Sequence, residues 1–387
     1  MLRSLYSGIS GLRAHQTMLD VTANNIANVN TAGFKSSATQ FQDTLSQMTK
    51  GATAGGGAAG GTNPAQIGLG TTVAGISTNF SQGSAQSTGK ATDMMISGDG
   101  FFVTAKGGES LYTRAGSFNQ DAQGRLVSAD GAILQGWTAV NGVVATGGPT
   151  RDIVLSSQTV SPAKATTRAT AGGNLPSESP VGTALVRDIR TYDATGTPST
   201  LTVTFTRTAT GWTADTPGST GPSDLTFTDG KVDGTPALTA GGITVDLKAL
   251  TGFTNMNSVA VTGQDGYSAG TLESFSLSPD GTLVGSFSNG MRANVGRVAL
   301  ASFANPGGLE KNGSSGYVAT ANSGAAVLGA AGSPGRGSLS AGTLEMSNVD
   351  LSQEFTNLIV AQRGFQANSR IITTSDSILE EVVSLKR

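Results

Sequence analysis

The sequence predicts a mainly β, multi-domain and elongated protein whose N- and C-terminal α-helices pair with each other in the manner of a coiled coil. Three observations carry this expectation: heptad-like apolar rhythms confined to the two ends, a period-two alternation through the middle, and Gly-rich stretches inside each terminal rhythm. At 387 residues the chain exceeds the size at which one hydrophobic core usually stops growing.

At the N-terminus, Leu5, Ile9, Leu12, Gln16, Leu19, Ala23 and Ile26 follow steps of four and three. That is the seam of a helix wrapping against another at a period of about 3.5 residues. Gly8 and Gly11 oppose it, each weakening a helix by roughly 1 kcal/mol relative to Ala. The end of the run, "DVTANNIANVNTAGFKS", is crowded with Asn24, Asn25, Asn28 and Asn30. Their amides compete with the backbone, so propensity does not account for them; an ordinary frayed helix end covers Asn28 and Asn30 but not Asn24 and Asn25, for which bonds to a neighbouring backbone, as a buried Asn makes in a coiled coil, are the expectation in a packed assembly. "NTAG" then offers turn residues and, in Gly33, a left-handed terminator.

Residues 1–35 are therefore expected to be the N-terminal helix of an inner coiled-coil domain. Residues 36–85 are expected to be a linker region, because "GATAGGGAAGG" at 51–61 has flexible-linker composition. From there the period is two. "LTVTFT" alternates Leu201, Val203 and Phe205 with threonines, and "ESFSLSPDGTLVGSF" reads as two strands about a Pro279-Asp280-Gly281 turn. Composition breaks near 161–180 and 262–270 divide this β material. The expected parts are the first part of an inner β domain at 86–165, an inserted outer β domain at 166–265, and the second part of the inner domain at 266–322. Residues 323–345, with "SGAAVLGAAGSPGRGSLSAG", are expected to be a second linker, and 346–387 the C-terminal helix. In that helix Leu351, Phe355, Leu358, Gln362, Phe365, Ser369, Ile372 and Leu379 keep the heptad rhythm, with Ser347 or Asp350 as its cap. The candidate self-assembly residues are Leu5, Ile9, Leu12, Leu19, Asn24, Asn25, Ile26, Leu351, Phe355, Leu358, Phe365, Ile372 and Leu379.

Chemistry is sparsely provided. The formal charge of -2, from 24 basic against 26 acidic residues, creates no field for nucleic acid. The absence of Cys removes disulfides and thiolate sites. The one His, His15, lies inside the first helix with no second ligand near it in sequence. Asn119, Asp121, Gln123, Gly124 and Asp130 match the spacing of a calcium loop, but with amides at ligand positions and strands on either side a hairpin turn explains them better. No catalytic, cofactor or metal residue is nominated, and no enzymatic activity is expected. The first twenty residues lack the continuous apolar core of a cleaved secretory signal, and no stretch approaches the roughly 18 apolar residues of a bilayer span.

"SLYSGISGLRAHQTMLDVTANNIANVNTAGFKSS" at 4–37 resembles the N-terminal signature of the flagellar rod and hook family of axial proteins, and "GTLEMSNVDLSQEFTNLIVAQRGFQANSRIITTSDSILEEVV" at 342–383 resembles that family's C-terminal signature. "GDGFFVTA" and "YTRAGSFNQDAQGRLVSADGAILQGW" extend the resemblance inward. Within the family, "VRDIRTYDATGTPSTLTVTFTRTATGWTAD" at 186–215 is similar to the outer domain of the hook members, with a distal rod or other axial rod-family protein as the alternative and a secreted β-rich enzyme or adhesin as a remote one. The resemblance implies a non-catalytic subunit of a helical homopolymer: a curved hollow tube outside the cell that transmits torque as a universal joint. It implies export through the flagellar type III apparatus without a cleaved signal peptide. The partners it implies are a hook cap protein during assembly, a distal rod protein and a hook-filament junction protein.

Overall fold

The computed structural model describes residues 2–56, 60–140, 142–156 and 158–384. Two long helices bracket a chain of short strands: α1, Leu2–Ala27, and α2, Leu351–Ser384. The chain forms two compact units, one of Met1–Val154, Ser276–Leu283 and Val295–Arg387, the other of Leu155–Phe275 and Val284–Asn294.

The first unit is built on Phe101–Lys106, a strand buried on both faces over its first four residues, as a central strand should be. It pairs antiparallel with Glu109–Thr113 and touches Ile133–Val140 through Leu134↔Thr104, while Gly316–Val318 extends the sheet beyond Glu109–Thr113. Phe101, Val103, Tyr112, Trp137, Ala299, Ala301 and Tyr317 form its core. Edge-to-face aromatic pairs such as Tyr112 with Phe303, ring centroids 4.8 Å apart, fill that core. The calcium-like spacing is a hairpin turn between Phe118–Gln120 and Leu126–Ser128. Asp121 spends both carboxylate oxygens there, accepting from the Gln123 and Arg125 amides and from Arg125 Nε at 2.7 Å.

Both stretches expected to be linkers are β-structure instead. Ser37–Asp43 pairs with Thr71–Thr78, and Ser46–Lys50 with Ala65–Gly68, so the chain after α1 is a long two-part hairpin. Within 51–61 the described residues lie toward its tip, closed by a Thr53↔Thr62 bridge; 57–59 fall outside the described residues. Before α2, Val327–Ala330 pairs with Ala299–Ser302, Ser338–Ala341 with Met94–Ser97, and Thr343–Glu345 with Ala85–Ser87. Small residues suit these ladders because a ladder is backbone to backbone: Gly337 fits only without a Cβ, which would lie 2.2 Å from the Ser97 carbonyl oxygen.

The second unit has two sheets. Ala184–Tyr192, Pro198–Arg207, Trp212–Asp215 and Ser223–Leu225 follow one another as a meander. In the other, Arg168–Asn174 lies between Ile243–Thr251, to which it is parallel, and Ala260–Gln264. The predicted alternation is visible in the meander: Val203 and Phe205 are buried, and the intervening threonines are not. These two join Ile189, Trp212, Leu225, Val245 and Leu247 in a continuous core.

Candidate self-assembly surface

The helices α1 and α2 run antiparallel, with Gly8 against Ile372, Gly11 against Asn368, His15 against Gly364 and Asn25 against Glu354. The glycines that weaken α1 as an isolated helix are where α2 comes close. A Cβ on Gly11 would lie 2.6 Å from Asn368 Oδ1, and one on Gly364 would lie 2.4 Å from the His15 ring. On its other flank α1 meets the hairpin: Ser10 Oγ accepts the Thr71 amide at 3.2 Å, and the His15 ring stands 5.9 Å from that of Phe41.

The buried residues of α1 are therefore Gly8, Gly11, Ala14, Thr22 and Asn25; Gly8, Gly11, Thr22 and Asn25 each stand one position before a residue of the predicted apolar stripe, and Ala14 lies midway between Leu12 and Gln16. Leu5, Leu12, Leu19 and Ile26 are half-buried and Ile9 is exposed. On α2 only Ala361 and Ser375 are buried. Leu358, Ile372 and Leu379 are half-buried, while Leu351, Phe355 and Phe365 are exposed, Phe355 by 52%. The seam inside one chain is thus made of small and polar side chains, and much of the apolar surface predicted for it remains outside. The hairpin adds exposed Leu45, Met48, Ile67 and Ile76.

The asparagines divide into two kinds. Asn25 is buried, and its amide accepts the Ser37 N–H at 3.0 Å and donates to the Ser37 carbonyl at 2.8 Å and to Glu354 Oε1 at 3.2 Å. It fixes the exit of α1 to the hairpin and to the first turn of α2. Burial, and behind it the Asp350 carboxylate, push the Glu354 carboxyl above its usual range against the pull of that bond. Asn24 is exposed and holds only the helix end, receiving Asn28 Nδ2. Gly33 takes φ +70°, and a Cβ there would collide with the Ala115 amide nitrogen at 2.4 Å. Asp350, not Ser347, caps α2, accepting the Ser352 amide at 2.8 Å.

Sequence reasoning missed a buried ionic centre between the segment that follows α1 and the one that precedes α2. Glu345, wholly buried, receives Lys35 Nζ at 2.6 Å, the Gly83 amide at 2.9 Å and Arg114 Nη1 at 3.4 Å. Lys35 also donates to the Ser81 carbonyl at 2.6 Å. Burial lowers the Lys35 pKa, and the hydrogen bond and charge of Glu345 work against that. The signal was faint: in a chain with only 13% charged residues, a Lys following "AGF" and a Glu inside "GTLEMS" are out of place in apolar company.

Family models match three stretches: one described as flagella basal body rod protein over residues 5–35, the flagellar hook protein FlgE/F/G D1 domain over 95–167, and the flagellar basal body rod FlgEFG protein C-terminal over 340–385. The flagellar hook protein FlgE of Borreliella burgdorferi is 40% identical, with all of both chains covered. That of Treponema pallidum is 37% identical, again over all of both. The flagellar basal-body rod protein FlgG of Bacillus subtilis is 36% identical with the same coverage.

Proposed function

The chain belongs to the flagellar hook protein family and is a structural subunit of the hook, and from that premise we propose that it polymerises by burying the leftover apolar stripes of α1 and α2 against neighbouring copies. The observation that supports this reading is the one-position offset: a small-residue seam closes the helix pair, and Leu5, Ile9, Leu12, Leu19, Ile26, Leu351, Phe355, Leu358, Phe365, Ile372 and Leu379 keep accessible surface. Complete burial of an exposed side chain of this size contributes about 1.5–3 kcal/mol, and the half-buried ones proportionately less. A helical array repeats that gain at every subunit. Asn24, exposed on the same helix, supplies an amide for a neighbour's backbone, while Asn25 is used within the chain.

The polymer in this reading is a curved hollow tube outside the cell that passes torque from rod to filament as a universal joint. Its subunits leave through the flagellar type III apparatus without a cleaved signal, add beneath a hook cap protein, and end on a distal rod protein at one side and a hook-filament junction protein at the other. The role is structural and needs no catalysis. A distal-rod role is the second reading, but the Bacillus subtilis rod protein, 36% identical, supports it less well than the 40% and 37% identical hook proteins support the first. Cells lacking the chain separate the two, by ending the axial structure before the hook or within the rod.

The test of the assembly surface is Leu12→Asp or Phe365→Asp in the full chain. Neither is a fully buried position, so the expected result is a folded monomer with an unchanged thermal transition that forms no polymer in electron micrographs. Normal polymers from both variants would overturn the proposal.

A further inference from the structure

Asparagine followed by glycine is the pair most prone to spontaneous loss of its amide, because the backbone nitrogen of the glycine attacks the side-chain carbonyl with little steric hindrance. Asn is accordingly counted among the thermolabile residues. The pair occurs at 141–142, 289–290 and 312–313; position 141 is outside the described residues. The other two differ sharply in their surroundings.

At 289–290 every participant is held. Asn289 Nδ2 donates to the Ser268 carbonyl at 2.8 Å, its Oδ1 accepts the Met291 amide at 3.1 Å, and the nitrogen that would attack, that of Gly290, donates to the Phe287 carbonyl at 2.8 Å. At 312–313 none is. Among the described residues the exposed Asn312 side chain has no hydrogen-bond partner and the Gly313 nitrogen has no acceptor, and the space around the Gly313 α-carbon is open. The turn is also uncomfortable: Gly313, Ser314 and Ser315 are consecutive left-handed residues at φ +79°, +48° and +56°, a conformation that costs a non-glycine residue on the order of 1 kcal/mol or more.

We propose that Asn312 is a site of spontaneous conversion to isoaspartate and aspartate, with water as the only co-reactant. The Gly313 nitrogen gives up its proton and bonds to Asn312 Cγ, the Cγ–Nδ2 bond breaks, and ammonia departs, leaving a succinimide. Water then opens the ring at either carbonyl. The net change is amide plus water to carboxylate plus ammonium, with no oxidation or reduction. Opening at the main-chain carbonyl lengthens the backbone by one methylene. It also places a carboxylate on the lip of a groove lined by Asn24, Phe34, Lys106 and Lys311. The 312–316 turn relies on Asn312 N–H to the Gly316 carbonyl at 2.9 Å and Gly316 N–H to the Gly313 carbonyl at 2.7 Å, so the product loosens it.

Peptide mass mapping of the purified full chain after prolonged warm incubation at mildly alkaline pH tests this. The expected result is a gain of about 1 Da in the peptide carrying Asn312. Reaction at Asn289 must first break three hydrogen bonds, and the Asn312 peptide should therefore convert at least roughly tenfold faster. In denaturant the two should converge, and Asn312→Gln should abolish the gain at that peptide while leaving the thermal transition unchanged. Equal conversion of the two peptides in the folded chain, no conversion at Asn312, or a ratio that persists in denaturant would overturn the proposal.

Discussion

The core of the second unit and the seam of the helix pair solve the burial problem in opposite ways. Ile189, Val203, Phe205, Trp212, Val245 and Leu247 are all within 1% of complete burial. That core is finished within one chain. Between α1 and α2 the buried residues are Gly8, Gly11, Ala14, Thr22, Asn25, Ala361 and Ser375, and the larger apolar side chains of both helices stay partly in water. Close approach of helices through glycine gives good dispersion contact but removes little apolar area from solvent. The difference teaches that burial is unevenly assigned within one chain: the second unit's core encloses its large apolar side chains, and the helix pair leaves much of its own exposed.

The strongest attempt to break that comparison is Trp212→Ala. Trp212 is 1% exposed, and its loss should cost about 3–5 kcal/mol. The thermal transition of the second unit should drop or vanish while the helical circular dichroism signal persists. Loss of both signals together would show that the helix pair leans on that core. A smaller effect separates two glycines of one seam. Gly364→Ala drives a methyl into the His15 ring and should destabilise the pair by about 1–3 kcal/mol, with His15→Ala in the same chain restoring much of it. Gly8→Ala meets nothing nearer than 3.4 Å, so the helix propensity gain of up to about 1 kcal/mol should prevail. Differential scanning calorimetry of the variants decides between them.

The smallest expected effect is a divergence with pH. In the second unit burial raises the Asp265 pKa, but the Arg168 amide, the Thr167 hydroxyl and amide, and Lys164 together outweigh it and hold the carboxyl well below its ordinary range. A carboxyl depressed by folding contributes stability that is present above its unfolded pKa and is lost as pH falls toward the folded one. Glu354 in the helix pair is shifted the other way, so its contribution grows as pH falls through the folded value toward the unfolded one. Amide exchange followed from about pH 5 to pH 3 should show the second unit opening more often and the first turn of α2 less often. Asp265→Asn should flatten the first trend and Glu354→Gln the second. Parallel loosening of both regions would remove this distinction.

The mainly β body, the terminal helices and their mutual pairing were legible because repeat periods survive in a single sequence. The phase of the helix seam was not. A count of apolar residues picks out Leu5, Ile9 and Leu12, whereas the contact is made through Gly8 and Gly11, whose role is to have no side chain. Composition also misled at 323–342, where Gly, Ala and Ser suggest slack and the backbone instead pairs with Met94–Ser97 and Ala299–Ser302. Lys35 and Glu345 are 310 positions apart, and nothing local marks them as partners. Asn25 is intermediate: its oddity in a helix was visible, its bonds to Ser37 and Glu354 were not.

The ionic centre at Glu345 also bears on the order in which the chain folds. Every strand of the second unit's meander lies within Ala184–Leu225, so its loops close early and at low entropic cost. Lys35 and Arg114, by contrast, have no carboxylate to bury against until residue 345 arrives, and a buried cation without its counter-charge is too costly to form in advance. The first unit therefore cannot close its ionic centre until a segment 310 positions beyond Lys35 is in place. The placing of one carboxylate then ties Lys35, Arg114 and the Gly83 amide together in a single step.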